Sequence, residues 1–206
     1  MPTIIHPTYF PTIAHYVVLA KSDGLVFEME DNFQKQTYRS RTYIYGANGK
    51  LMFNVPVRHL KEEKNQKYKD IQLANETPWQ RLHWKSLESA YRTSPYFEYY
   101  EDELRPLFEK KYTFLMDLNL ETIQSLNDCL QLEVSTTKTT VYQSIVTDIQ
   151  DFRKLANVKK EPDYGFDTYT QVFEAKHGFI PNLSILDLLF NEGTNALTYL
   201  EQQTFT

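Results

Sequence analysis

The chain has 206 residues, of which 41% are hydrophobic and 24% charged, and its formal net charge at pH 7 is −5. This length and composition are typical of one globular domain and exclude a chain that is disordered throughout. No apolar run approaches the roughly 18 residues of a membrane-spanning helix. The first residues lack the features of a secretory signal peptide, so we expect a cytoplasmic protein. The single cysteine, Cys129, excludes an internal disulfide.

The first 27 residues predict a compact βαβ unit. Residues 3–5 have the pattern of a strand, 12–22 that of a short helix and 24–27 that of a second strand. A strand–helix–strand segment of this length favours parallel pairing. Ligands of open α/β sheets bind at the carboxyl ends of the strands, so we expect the turn 6–11 to lie at a ligand-binding edge.

Residues 37–58 predict a β-hairpin. The dipeptide Asn48-Gly49 is a strong signal for a two-residue type I′ turn. With these two residues as the loop, Ala47 pairs with Lys50. This register gathers most of the apolar side chains on one face, which we expect to be buried.

A basic segment overlaps this hairpin. Residues 35–69 contain nine Lys or Arg and two Asp or Glu, a local charge of +7 that leaves −12 for the rest of the chain. A localised excess favours a bound phosphate or carboxylate over nucleic acid, which needs a basic surface at domain scale. The predicted register places Arg39 opposite Arg58, with Arg41 beside them, and like charges destabilise such a pair. We expect the three arginines to converge on an anion; the alternative is that they point apart into water or bind carboxylates elsewhere. The lysines of the segment are expected to be solvated, namely Lys61, Lys64, Lys67 and Lys69.

The second half of the chain is predicted to be mainly helical. The run 77–80 (TPWQ) has the pattern of a capping box, and the helix that follows carries His83 on its apolar stripe. A helix over 96–112 should break at Pro106, and a further helix should be capped by Asn119.

The remaining residues predict one weakly patterned segment and a final helical region. Residues 133–164 are polar and irregular, which indicates a flexible loop. Ser184 is expected to cap a helix that ends at Gly193. The prediction is therefore a single α/β domain over residues 1–206, with a mixed sheet, an N-terminal βαβ unit, a β-hairpin and a helical second half.

The histidines are the clearest candidates for chemistry. None of the five has the spacing of a metal ligand pair, so we predict no metal site and no cofactor. His83 is either an interior histidine or a base whose ring reaches the same cavity as the arginines, and we expect the shared cavity; His6 ends the first strand. The run Thr12-Ile13-Ala14-His15 is similar to the Thr/His-x-Gly-His signature of nucleotidylyltransferases, with Ala14 in place of the glycine that lets the backbone approach phosphate.

Several stretches in one order resemble the WbqC-like family of bacterial proteins, in its Bacteroidetes form. The matching stretches are 7–11 (PTYFP), 31–41 (DNFQKQTYRSR), 54–57 (NVPV), 79–87 (WQRLHWKSL), 90–97 (AYRTSPYF) and 178–191 (GFIPNLSILDLLFN). Two positions depart from the family pattern. His6 stands where many members have Gln, and Ser40 where many have Asn.

The resemblance implies transfer of an acyl group, glycyl among the candidates, to the amino group of a nucleotide-activated sugar in surface-polysaccharide (O-antigen) synthesis. The catalytic base would be His83 or His6, and the diphosphate would bind Arg39, Arg41, Arg58 and Lys35. Tyr9 would stack on the ligand. Asn182 and Ser184 would donate to an oxyanion, or serve only as helix caps.

Two alternatives stay open beside acyl transfer. One is a nucleotidyl transfer that uses Thr12 and His15, and the other is a non-catalytic protein that binds a nucleotide-sugar or a partner enzyme. In each case we expect a small anionic ligand, no nucleic acid and no membrane, and a homo-oligomer is left open.

Overall fold

A computed structural model describes residues 1–58, 66–159 and 161–205. In these ranges the strands are β1 (Thr3–Ile5), β2 (Leu25–Phe27), β3 (Arg41–Gly46), β4 (Gly49–Asn54), β5 (Thr136–Lys138) and β6 (Gln150–Asp151). The α-helices are α1 (Ile13–Ala20), α2 (Trp79–Tyr91), α3 (Phe97–Leu104), α4 (Pro106–Glu109), α5 (Leu115–Leu130), α6 (Glu174–His177), α7 (Ile185–Glu192) and α8 (Ala196–Gln202). The predicted lysines Lys61 and Lys64 lie outside the described residues.

Four strands form a parallel sheet in the order β5-β2-β1-β6. Strand β1 pairs with β2 from Thr3 opposite Leu25 to Ile5 opposite Phe27, and α1 connects the two. The predicted βαβ unit is confirmed. Because all four strands are parallel, their carboxyl ends lie on one edge, which is where ligands of open α/β sheets bind.

Both outer strands of the sheet come from residues 133–164, where no strand is predicted. Strand β5 pairs with β2, and β6 pairs with β1. These strands have three and two residues and are exposed, so they lack the apolar alternation by which a strand is predicted from sequence. The mobility expected of this segment stays a prediction.

The antiparallel hairpin of β3 and β4 has a different register from the predicted one. Gly46 pairs with Gly49, so the loop is Ala47-Asn48. A type I′ turn needs a positive φ at both central residues, whereas here Gly49, at φ 100°, begins β4 and Asn48 is not in the positive-φ region. The register shift of two residues keeps the predicted face buried, because strand side chains alternate with a period of two.

Two predicted helix starts are also wrong. Helix α2 begins at Trp79 with Pro78 as its N-cap residue, and the Thr77 side chain makes no cap. Asn119 lies inside α5, where its amide donates to the Arg39 carbonyl oxygen (2.7 Å) and to the Tyr68 hydroxyl. A buried side chain with distant partners replaces the expected cap. The break at Pro106 is confirmed.

The carboxyl-terminal region packs on the βαβ unit. Thr12 and Ser184 form an antiparallel bridge, the Ile13 amide donates to the Leu183 carbonyl (3.0 Å), and the Ile185 amide donates to the Pro11 carbonyl (2.8 Å). Helices α7 and α8 both contact α1. This region therefore holds the segment that links β1 to α1.

Candidate functional site

A polar pocket of about 200 Å³ lies at the carboxyl edge of the parallel sheet. Its lining includes His6, Asp31, Arg39, Tyr142, Asp151 and Arg153. His6 directly follows β1, and Arg153 comes two residues after β6. The sheet topology thus brings together charged side chains that are far apart in sequence. The edge is the one at which the βαβ pattern predicts a ligand. We call this the strand-edge pocket.

Arg39 is the most deeply buried cation of the pocket, with 1% of its surface exposed. One nitrogen, Nη2, donates to Asp31 Oδ2 (2.9 Å) and lies 2.8 Å from His6 Nε2. The guanidinium also lies over the Tyr68 ring, 5.6 Å from its centroid. Asn119 holds the Arg39 carbonyl from α5. The arginine is fixed in place by side-chain and backbone contacts.

The position of Arg39 assigns the tautomer of His6. A guanidinium in a protein is charged and can only donate, so His6 Nε2 must accept from Nη2 and the imidazole proton sits on Nδ1. Burial is the main cause that lowers the pKa of His6; the positive charge of Arg39 lowers it further, while Asp31 opposes the shift. His6 is therefore neutral at pH 7 and presents an N–H donor at Nδ1.

Three buried donor atoms of this pair have no hydrogen-bond partner among the described residues. They are Nδ1 of His6 and both Nε and Nη1 of Arg39. A buried donor without a partner costs roughly 1–3 kcal/mol, more when it is charged. Three such donors on two side chains that contact each other favour a ligand rich in acceptor oxygens, such as a phosphate or a carboxylate.

Arg153, on the opposite side of the same pocket, differs in its hydrogen bonding. Its five N–H groups are all used, by two oxygens of Asp151, by Glu28, and by the carbonyls of Gln143 and Ser144. The side chain joins β2, β6 and the loop between β5 and β6. It has a structural role, which leaves Arg39 as the arginine of the pocket with donors available.

The predicted convergence of three arginines is not found. Arg39 binds Asp31, Arg41 donates to Asn54 Oδ1 (3.3 Å), and Arg58 forms an exposed ion pair with Glu76 (2.6 Å). The register explains this difference. The hairpin ladder ends at Arg41 opposite Asn54, so Arg39 precedes the strand instead of facing Arg58.

Lys35 and Arg41 do lie together. They line a separate groove of about 330 Å³, beside Asn54 and Val57 at the open end of the hairpin. Part of the predicted basic cluster is thus assembled, in a different place from Arg39.

His83 lies in an aromatic cluster and is 8% exposed. Its Nδ1 is 3.0 Å from the Tyr9 hydroxyl, and its ring stacks on Phe53 with centroids 4.3 Å apart. Burial lowers its pKa to about 4. His83 and Tyr9 do not line the strand-edge pocket, so the expected shared cavity with Arg39 is not found.

Asn182 and Ser184 hold the connection between the carboxyl-terminal region and α1. Asn182 accepts from the Ala14 amide (2.8 Å) in the first turn of α1. Ser184 caps α7 by accepting from the Leu186 amide (3.3 Å), and its hydroxyl donates to the Phe10 carbonyl (3.1 Å). The α7 amides expected to face a pocket have partners within the protein, and these contacts support the capping interpretation.

Thr12 and His15 are each 1% exposed and bind one another, with Thr12 Oγ1 2.9 Å from His15 Nδ1. Burial, with a smaller contribution from His6, lowers the pKa of His15 to about 3. Neither residue lines the strand-edge pocket. Nothing in this arrangement favours the triphosphate site of a nucleotidylyltransferase.

Five charged residues at the site are not among the predicted ones: Asp31, Asp151, Arg153 and Lys154 line the pocket, and Glu28 binds Arg153. Glu28 follows directly after β2, so the strand-edge rule already marks its position. Asp31 begins the stretch 31–41 that carries the family resemblance. Asp151 and Arg153 depend on β6, a two-residue strand without a sequence signal.

Comparisons with known proteins identify one family. The WbqC-like protein family matches residues 6–161 of the chain. The protein named "Uncharacterized protein Rv1507c" of Mycobacterium tuberculosis (strain ATCC 25618 / H37Rv) is 26% identical over 226 aligned residues, 96% of each chain. No solved structure matches the chain. In the part that the structure describes, no helix is both long and apolar enough to cross a membrane.

Proposed function

We propose that this chain, which belongs to the WbqC-like protein family, transfers an acyl group to the amino group of a nucleotide-activated sugar. Glycyl is one candidate for the acyl group, and surface-polysaccharide synthesis is the proposed setting. The observation that carries the proposal is the pair of buried side chains, His6 and Arg39, which line a pocket at the carboxyl edge of a parallel sheet and hold donor atoms without a partner among the described residues.

The donors of the pocket fit both the substrate and the reaction. A nucleotide-sugar carries a diphosphate, and a guanidinium with two free donor nitrogens suits a phosphate oxygen pair. Attack of the sugar amine on the carbonyl of an acyl thioester forms the amide bond and breaks the C–S bond, and coenzyme A leaves as its thiol. The negative charge that develops on the carbonyl oxygen would be stabilised by a fixed N–H such as Nδ1 of His6. In this proposal His6 is a hydrogen-bond donor, because its other nitrogen already accepts from Arg39.

The proton lost by the amine needs an acceptor in the same pocket. Glu28 and Asp151 are both engaged by Arg153, whereas Asp31 pairs with Arg39 and so lies beside the two side chains that hold the unpartnered donors. Burial raises the pKa of Asp31, but its neighbours, among them the Asn32 amide and the Arg39 guanidinium, lower it overall, so Asp31 is ionised at pH 7. Asp31 is the proposed proton acceptor.

The experiment supplies the chain with uridine and deoxythymidine diphosphate-linked amino sugars and with acetyl- and glycyl-coenzyme A, or glycine with ATP, as acyl sources. Mass spectrometry is expected to show a sugar heavier by one acyl group, and the Arg39→Lys variant is expected to form at least tenfold less product. Release of pyrophosphate from a nucleoside triphosphate without acylation would instead favour nucleotidyl transfer. Binding of the nucleotide-sugar without any product would favour a non-catalytic protein.

A further inference from the structure

A second cavity adjoins the strand-edge pocket. It has a volume of about 450 Å³ and shares three lining residues with that pocket, Asp151, Lys154 and Asn157. The two cavities are therefore neighbours on the protein surface. We call the second cavity the aromatic groove, because Phe152, Tyr164 and Phe205 form part of its wall.

The aromatic rings of this groove contact each other and leave partly exposed faces. The centroids of Phe152 and Phe205 are 5.7 Å apart, and those of Tyr164 and Phe205 are 5.5 Å apart. Phe205 is 38% exposed. Exposed aromatic rings lining a cavity are suited to stacking on a flat ligand ring.

The polar groups of the groove complete a site for a heteroaromatic ring next to an anion. Lys154 and Lys159 supply positive charge, and Lys154 stands at the junction with the strand-edge pocket. Glu161 also lines the groove, and its carboxylate accepts from the Tyr38 hydroxyl at 3.1 Å. A carboxylate in such a position can accept a hydrogen bond from the N–H edge of a base.

We infer that the aromatic groove binds the nucleobase of the substrate while the strand-edge pocket binds its phosphates, with Lys154 at the junction. The inference rests on the proposed function, since it assigns the two parts of a nucleotide-sugar to two adjoining cavities. It also sets the direction of the ligand: the base stacks on Phe205, and the sugar extends past Arg39 and His6.

The test compares the binding of inorganic pyrophosphate with that of uridine, deoxythymidine, guanosine and adenosine diphosphates by isothermal titration calorimetry. The wild-type chain is expected to bind at least one nucleoside diphosphate more tightly than pyrophosphate. Phe205→Leu keeps an apolar side chain but removes the ring. It should lower the affinity for that nucleoside diphosphate by about tenfold and leave the affinity for pyrophosphate unchanged. Phe205→Tyr, which keeps a ring, should retain the affinity.

The matched control is Tyr99→Ala, which removes an aromatic ring that is 67% exposed and lines a different groove. It should change neither affinity. Competition experiments against the bound nucleoside diphosphate use a uridine diphosphate-sugar in one case and coenzyme A in the other. They distinguish a sugar nucleotide from a nucleotide-containing acyl donor as the ligand of the groove. The inference predicts that the sugar nucleotide competes.

Two results would overturn the inference, and they differ in what they imply for the pocket. If Phe205→Leu leaves nucleoside diphosphate binding unchanged while pyrophosphate binding still depends on Arg39, the groove is not the base site and the anion pocket stands. If the wild-type chain binds neither pyrophosphate nor any nucleoside diphosphate, the inference and the proposed function both fail.

Discussion

Arg39 and His6 are joined by one hydrogen bond of 2.8 Å, and this bond uses the ring nitrogen of His6 that would otherwise be free to accept a proton. The imidazole proton is thereby placed on Nδ1, which is buried and has no partner among the described residues. Arg39 contributes two further donor nitrogens that have no partner among the described residues. The pair therefore forms a donor-rich site. Arg39 supplies its positive charge, and the hydrogen bond between the two side chains fixes the orientation of both.

Replacing His6 by Gln should preserve this arrangement. A glutamine amide can accept from Arg39 through its oxygen and donate through its nitrogen, as neutral His6 does. Pyrophosphate affinity is expected to stay within about threefold for His6→Gln and to fall at least tenfold for His6→Leu, which removes one of the two acceptors that hold Arg39 Nη2 in place. Calorimetric titration measures both. Equal loss in the two variants would show that the imidazole itself is required.

The buried histidines predict that the protein loses stability in mild acid. Burial lowers the pKa of His83 to about 4, below the 6.5 of an unfolded histidine. The unfolded state therefore binds one more proton between these values, and stability falls as pH drops from about 6.5 toward 4. From pH 7 to pH 5 the contribution of His83 is about 2 kcal/mol.

The variant His83→Gln isolates this contribution, because it keeps a hydrogen-bond partner for Tyr9 and does not titrate. Urea unfolding at pH 7 and pH 5 should show a smaller loss of stability in the variant than in the wild type. The same loss in both proteins would mean that His83 is protonated in the folded state.

Asp187 is a fully buried carboxylate that connects α7 to two other parts of the chain. It accepts from the hydroxyls of Tyr91 (2.7 Å) and Tyr169 (2.5 Å) and from the Gln171 amide (2.8 Å). Burial raises its pKa. We expect Asp187→Leu, which leaves three donors unpaired, to lower the free energy of unfolding by about 4 kcal/mol, and Asp187→Asn to lower it by about 1 kcal/mol.

Urea unfolding of both Asp187 variants at pH 7 provides the measurement. The folded fraction of each should bind pyrophosphate as the wild type does, because Asp187 does not line the strand-edge pocket. Two variants of equal stability would contradict the assigned hydrogen-bond network.

Asn182 tests whether a predicted ligand-binding residue is instead structural. Its φ of 48° is readily adopted by glycine, so Asn182→Gly removes the side chain without backbone strain. The Ala14 amide loses its acceptor, and stability should fall by about 1–2 kcal/mol with pyrophosphate affinity unchanged. Weaker pyrophosphate binding at unchanged stability would restore the ligand-binding role.

The sequence predicts those parts of the fold that rest on local patterns. The apolar strands around Ile4 and Val26 and the break at Pro106 follow from short-range rules, and both are confirmed. The hairpin is predicted with its buried face correct but its register wrong by two residues, because turn chemistry alone does not decide which residues form the loop.

The site itself depends on contacts that are distant in sequence. Arg39 is predicted to bind an anion, but its own partners, Asp31 and His6, follow from how the loop after β2 packs against β1. Asn119, which is expected to cap a helix, instead donates to the carbonyl oxygen of Arg39, 80 residues away in the sequence. A single sequence carries no signal for such pairs. Arg39, Arg41 and Arg58 therefore have the same predicted role in the sequence, and only the structure shows that their partners differ.

Pyrophosphate binding by Arg39→Lys, compared with Arg153→Lys, tests the anion pocket most directly. Lysine keeps the positive charge beside Asp31 but lacks the planar set of donors, so affinity should fall by at least about tenfold. Arg153 donates five hydrogen bonds, so Arg153→Lys should lower the free energy of unfolding. The folded variant should bind pyrophosphate with wild-type affinity. If the wild-type chain does not bind pyrophosphate, or if Arg39→Lys binds it as tightly as the wild type, the strand-edge pocket is not the anion site.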